Sequence, residues 1–236
     1  MTFCAIVVAA GRGVRFGRPK QLIEIAGRPL IAWSFAAFGA LEELSDLVVA
    51  TEPEHLEQMA SVAAEFAPTL GVIVVRGGAT RQASAAAALE AVPPHCDAAF
   101  IHDGARPLVQ AADIRAGMAA TRPGCGALLA SPVVDTIKVA GTDGETVVRT
   151  LDRASLWAAQ TPQFGTLADL RRAHALARAD GIEATDDAML LERAGVSVRI
   201  VPASRENFKV TLPGDLDRAE LLLRERTSPK EPSVAR

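Results

Sequence analysis

The chain has 236 residues, of which 49% are apolar, 22% charged and only 4% aromatic, with no tyrosine and a formal net charge of −3. That length suits one α/β domain burying about 70% of its unfolded surface and excludes a second large one. The charge balance lacks the basic footprint that a general nucleic-acid or anionic-membrane binder needs, so positive charge has to be read locally.

Cys4, Cys96 and Cys125 are widely spaced, without any Cys-x-x-Cys. They offer no readable zinc spacing and no disulfide framework, and each reads as a buried small hydrophobe in a reducing compartment. No basic segment precedes the first apolar run, and no apolar stretch reaches the length of a bilayer span. The expectation is a cytoplasmic protein without nucleic-acid or membrane partners.

Phe3 to Val8 reads as a buried first strand, and it runs directly into Ala9-Ala10-Gly11-Arg12-Gly13-Val14-Arg15-Phe16-Gly17-Arg18-Pro19-Lys20. Glycines at a strand-to-loop junction let backbone N–H groups approach an anion, and four cations in one short loop suit a polyphosphate. A P-loop is excluded, because Gly17 is not followed by Lys and Ser or Thr. A dinucleotide loop would accept the glycine spacing, with Glu52 as its ribose acid, but Pro19 interrupts the helix that should start there. A loop with Gly-x-Gly, a basic residue two positions later and Pro-Lys-Gln at its end resembles instead the signature of nucleotidyltransferases, a resemblance that implies chemistry resting on positioning and cationic stabilisation as pyrophosphate leaves. Arg15 and Lys20 are its natural catalytic pair; Arg12 and Arg18 read as solvated surface charges.

Leu22 to Ile25 is a short extended piece, and Pro29 opens a helix carrying Leu30, Ile31, Trp33, Phe35 and Phe38, with Trp33 expected in the core. Asp46 to Thr51 is the second strand, Pro53 starts the second helix, and Val72 to Val75 is the third strand. This rhythm predicts βαβ crossovers and a mostly parallel sheet. Arg76-Gly77-Gly78-Ala79-Thr80-Arg81 then leads into an alanine-rich helix with Ser84 in its first turns; glycines, Arg81 and Ser84 there could hold a base or ribose, or Ser84 could be a spacer. Ala98 to His102 is the fourth strand, ending in Asp103-Gly104-Ala105-Arg106. Asp103 could accept from a ribose hydroxyl and Arg106 could neutralise a phosphate, or the two could simply pair; His102 reads as structural.

Ile114 to Thr121 is helical and Gly126 to Ser131 is another buried strand. Asp135 to Val139 and Thr146 to Thr150 flank a glycine-bearing turn and read as a β-hairpin, whose edges could be covered by the same arm of a second subunit. A helix follows from Ala168 to Ala179, Thr185-Asp186-Asp187 caps the next, Val196 to Val201 is a strand, Asn207 to Thr211 is extended, and Pro213 to Arg226 is the last helix. Residues 227–236 read as a disordered tail, which leaves 1–226 as a single domain with an arm at about 132–152.

The ordered series Ala9-Ala10-Gly11-Arg12-Gly13, Pro19-Lys20-Gln21, Gly77-Gly78 with Arg81 and Ser84, His102 to Pro107, Asp135-Thr136, Asp152-Arg153, Thr161-Pro162-Gln163-Phe164, Thr185-Asp186 and Asn207 to Thr211 resembles the 2-C-methyl-D-erythritol 4-phosphate cytidylyltransferase family, from residue 3 to about 224. The resemblance implies a Rossmann-like nucleotidyltransferase fold: an α/β protein with a mostly parallel twisted sheet, helices on both faces and an inserted β-hairpin arm. It implies cytidylyl transfer from CTP to methylerythritol phosphate, with Mg²⁺ bound mainly through the CTP phosphates. By the same resemblance Arg15 and Lys20 stabilise the transition state. Ala10, Gly11, Gly13, Gly78, Ser84 and Asp103 bind the nucleotide. Arg153, Lys209, Thr136, Thr185 and Arg106 position the acceptor, Thr136 and Arg153 reaching across a homodimer from the partner's arm. A ribitol-phosphate cytidylyltransferase and a non-catalytic nucleotide sensor are the alternatives.

Overall fold

The computed structural model describes residues 1–11 and 19–227. Eighteen α-helices and β-strands follow in chain order among them: β1 Phe3–Val8, β2 Glu24–Ile25, β3 Arg28–Pro29, α1 Leu30–Gly39, β4 Leu44–Thr51, α2 Leu56–Phe66, β5 Gly71–Arg76, α3 Arg81–Glu90, β6 Ala98–Asp103, α4 Ala111–Ala120, β7 Cys125–Pro132, β8 Lys138–Ala140, β9 Val147–Thr150, β10 Trp157–Thr166, α5 Leu167–Ala179, α6 Asp187–Arg193, β11 Ser197–Pro202 and α7 Pro213–Thr227.

Seven strands form one sheet in the order β11-β7-β10-β6-β1-β4-β5. All neighbours are parallel except β10, which runs against both β6 and β7. The alternation along each strand explains the layers. Phe3, Ala5 and Val7 face one side with Leu47, Val49, Phe100 and the apolar stripes of α1, α2 and α4. Cys4 and Ile6 face the other with Val48, Ile101 and the small or aliphatic residues of α3, α5 and α6. Alanines on α3 and α5 let those helices sit close to the sheet, which accounts for a core with few aromatics.

The chain winds outward from β1 through β4 to β5, then returns across β1 to β6. The crevice outside the carboxyl ends of β1 and β6 is therefore the switch point where such sheets take their ligands. A smaller cluster of Ile25, Leu30, Leu108, Val210, Ala219 and Leu223 clamps α7 over the β2–β3 turn and fixes the segment leading through Lys209.

Several expectations change. The stretch around Thr161-Pro162, for which no element is predicted from the sequence, is part of β10, the reversed strand, with a register shift between Ala159 and Gln163. Trp33 is half-buried, donating Nε1–H to the Ile25 carbonyl at 3.1 Å beneath the Arg28 guanidinium. The cap of α6 is Asp186, which accepts from the Met189 N–H at 2.9 Å, while Thr185 stands exposed before it. The predicted hairpin forms as β8 paired with β9, a two-stranded sheet separate from the main one. Of the expected tail at 227–236, Thr227 is instead the last residue of α7, and 228–236 lie outside the described residues.

Candidate active site

A cavity of about 710 Å³ opens at the switch point. Val8, Ala10 and Gly11 from the end of β1 line it, as do Gly77 to Thr80 before α3, Lys20, Arg81, Ser84, Asp103 and Lys209. The two glycines of the Gly77-Gly78 turn are needed for space. A Cβ on Gly77 would collide with the Ala10 methyl, and one on Gly78 with the Ala83 methyl. Their amides are consumed internally: Gly77 N–H donates to the Thr51 carbonyl at 2.7 Å and Gly78 N–H to Ser84 Oγ at 3.0 Å. Ser84 in turn donates to the Thr80 carbonyl at 2.9 Å, and Thr80 caps α3 by accepting from the Ala83 N–H. Ser84 is buried, so it braces the turn that shapes the pocket wall.

The opposite wall is electrostatic. Asp103, at the end of β6, meets Arg81 Nε at 2.9 Å, Lys209 Nζ at 2.9 Å and Arg106 Nε at 3.8 Å. Burial alone would raise its carboxyl, but the cationic Arg81, Lys209 and Arg106 hold it well below the usual carboxylate range. Arg81 is held from the far side by Asp187, Nη1 to Oδ2 at 2.8 Å, and Asp187 is fixed by His174 Nε2 at 3.1 Å. Fully buried Asp187 is likewise pushed up by burial yet pulled lower by Arg81 and His174. Arg81 is thus locked between two carboxylates in the cavity wall.

Lys209 owes its position to Asn207. The buried Asn207 amide donates to Gln160 Oε1 at 3.0 Å and to the Thr161 carbonyl at 2.9 Å, while its own main-chain carbonyl accepts from Arg106 Nη1 at 2.8 Å. Val210 N–H donates to the Ala105 carbonyl at 2.8 Å, and Lys20 Nζ donates to the Val210 carbonyl at 2.7 Å. The two lysines of the expected phosphate track therefore meet on one segment of chain. Below them His102 is enclosed, its ring nitrogens 3.2 Å from Thr161 Oγ1 and 3.2 Å from the Arg106 carbonyl, a purely structural role.

Among the expected site residues, Lys20, Ala10, Gly11, Gly78, Ser84, Asp103 and Lys209 line this one cavity, and Arg106 supports it from beneath. Arg15 and Gly13 lie outside the described residues. Thr136 and Arg153 sit exposed on the arm, Arg153 Nη1 donating to the Val134 carbonyl at 2.6 Å, and Thr185 is exposed beside α6; none of these three lines the cavity of its own chain. Asp187, Asn207 and Gln160 were not on the expected list. Asp187 meets Arg81 from the far end of the chain, and Asn207 lies 47 residues from Gln160, so no local spacing could reveal them.

Cations converging on one buried carboxylate beside a glycine-walled crevice suit a polyphosphate carrying a nucleoside, and with this sheet order they define a nucleotidyltransferase. Residues 3–225 match the family described as 2-C-methyl-D-erythritol 4-phosphate cytidylyltransferase, and the chain belongs to that family. The protein of this name from Trichormus variabilis is 40% identical over 223 residues, covering 94% of this chain and 97% of its own. The crystal structure of the one from Thermus thermophilus is 37% identical, covers 95% of this chain and 100% of its own, and superimposes with a TM-score of 0.76. The Anaerococcus prevotii 4-diphosphocytidyl-2C-methyl-D-erythritol synthase, 23% identical over 94% of this chain and 98% of its own, shares the fold at a TM-score of 0.83.

Proposed function

We propose that the cavity transfers the cytidylyl group of CTP to 2-C-methyl-D-erythritol 4-phosphate, giving CDP-methylerythritol and pyrophosphate for isoprenoid synthesis. The observation that carries this reading is the meeting of Lys20 and Lys209 through the Val210 carbonyl, with Lys209 on Asp103. Cationic ends of a phosphate track are thereby fixed before substrate arrives, which is how phosphoryl transfer is promoted without a protein nucleophile. A phosphate oxygen of the acceptor attacks the α-phosphorus in line, a new P–O bond forms, and the bond to the β-phosphate oxygen breaks as pyrophosphate departs. Lys20 and Arg15 stabilise the charge that develops. Lys209 and Arg106 hold the acceptor's phosphate. The Ala10–Gly11 and Gly77–Gly78 walls take the cytidine.

The cavity's carboxylates are Glu52 and Asp103, the latter already engaged by three cations. That donor set fits a Mg²⁺ ion carried on triphosphate oxygens, with Asp103 reaching its water shell, and does not fit an all-protein cage. Bound there, the ion would neutralise charge on the departing pyrophosphate. The acceptor site is completed across a homodimer: Thr136 and Arg153 do not reach their own cavity, while Val134, Val147 and Val148 present uncovered apolar surface on and beside the arm. Residues 1–226 work as one domain, in the cytoplasm, where three free cysteines stay reduced.

The test is pyrophosphate release with CTP and Mg²⁺, comparing methylerythritol phosphate with ribitol phosphate. Release is expected with the first only, and Lys20→Ala should lower turnover by about two orders of magnitude while the circular dichroism is unchanged. Near-normal turnover in that variant would remove Lys20 from the chemistry.

A further inference from the structure

At the edge of the sheet opposite the cavity, where the parallel strands begin, Asp46 near the start of β4 faces the turn that leads into β6. We propose that Asp46, His95 and Cys96 there bind one divalent transition-metal ion of the zinc type. Their ligand atoms all lie within 4.8 Å of one another. His95 Nε2 is 2.6 Å from Asp46 Oδ2, and Cys96 Sγ is 3.5 Å from the same oxygen.

One of these spacings is already what an ion requires, and the other needs a small side-chain movement. A tetrahedral centre with zinc–sulfur and zinc–oxygen bonds of about 2.3 and 2.1 Å sets sulfur and oxygen about 3.6 Å apart, and nitrogen and oxygen about 3.4 Å apart. The sulfur–oxygen pair already has that separation. The imidazole must withdraw by about 0.8 Å, and its side chain, 57% exposed, has the freedom to do so. Thiolate, carboxylate and imidazole together carry a charge of −2, so a divalent ion is neutralised within its own shell, and Cys96 releases its proton on binding. Borderline-soft sulfur and nitrogen donors select zinc or cobalt over magnesium or calcium. The fourth position goes to water entering past His95.

The surroundings orient the ligands. Ser45 Oγ donates to Asp46 Oδ2 at 2.5 Å and lies 3.7 Å from Cys96 Sγ. Gly71 of β5 leaves the carboxylate its room, since a Cβ there would come within 2.6 Å of Asp46 Oδ1. Cys4, which pairs with Asp46 between β1 and β4, places a second buried thiol beside Cys96. The ion would tie the start of β4 to the turn before β6, and its role is structural. A hydrogen-bonded Asp46 cluster that takes up no metal is the competing account.

The full-length protein, stripped by chelator in reducing buffer, is titrated with Co²⁺ and then Zn²⁺. The expected result is one equivalent of Co²⁺ giving a thiolate-to-cobalt charge-transfer band with intense tetrahedral d–d absorption, its displacement by Zn²⁺, and a rise in melting temperature with Zn²⁺. His95→Ala and Cys96→Ser should each weaken binding at least about tenfold, a loss at least as large as that of an outer-shell partner, and leave cytidylyl transfer unchanged. His95 is exposed, so its variant tests the site even if Cys96→Ser fails to fold. No charge-transfer band, a band that persists in Cys96→Ser, or wild-type affinity in His95→Ala would overturn the proposal.

Discussion

His102 shows how the residues beneath the cavity were chosen for rigidity. Burial pushes its imidazole down to about 3, the nearby Asp103 opposing and Arg106 reinforcing. The folded protein thus keeps it neutral, whereas the unfolded chain takes up a proton at the ordinary value near 6.5. Between those two values the unfolded state binds more protons, so the native state loses stability as pH falls from about 6.5 toward about 3. Urea midpoints at pH 7, 5 and 4 should drop less steeply in His102→Gln than in the parent, and equal slopes would show that other groups govern the acid limb. Asp103 and Asp187, both held low, add their own loss only below the normal carboxylate range. At this scale the sequence was legible where one residue carries its own signal. Lys20 after a glycine loop and Lys209 in its motif were readable as cations that the fold brings to the cavity; the Asp187–Arg81–Asp103 chain was not, because each link joins elements far apart in sequence.

Among the elements, the Gly77-Gly78 turn and α3 form a unit in which the turn has no slack. Placing a methyl on Gly78 drives it into Ala83 and pulls the Gly78 amide off Ser84. Gly78→Ala should destabilise the fold by about 1–3 kcal/mol and raise the KM for CTP more than it lowers kcat. Thermal unfolding with steady-state kinetics checks both, and an unchanged KM would detach the turn from nucleotide binding. Elements with a clear local signal were readable: β1, β4 and β6 as apolar runs, and α1 and α2 by a proline start followed by apolar residues. The ten residues of β10 were not. A proline, two glutamines and a glycine break the alternation, and the strand forms because its neighbours β6 and β7 supply hydrogen bonds on both sides.

For the whole molecule, the proposed dimer makes a sharp claim. Lys20→Ala subunits keep Arg153, and Arg153→Ala subunits keep Lys20. Mixing the two inactive proteins under conditions of subunit exchange should restore activity up to about a quarter of the parent value, as expected if half the chains pair as heterodimers with one intact site each. No recovery despite demonstrated exchange would mean that Arg153 acts within its own chain.

The reversed direction of β10 also determines what the arm costs. Trp157 pairs with Pro132, and the Val133 amide donates to the Leu156 carbonyl at 3.1 Å, so the chain leaves and re-enters the sheet at one point. Residues between those feet are a closed excursion, and doubling their number adds only about 0.6 kcal/mol of closure entropy. The arm can be lengthened, shortened or exchanged without rethreading a strand, so in the proposed dimer the part that would reach across to the partner can change while the sheet keeps its register.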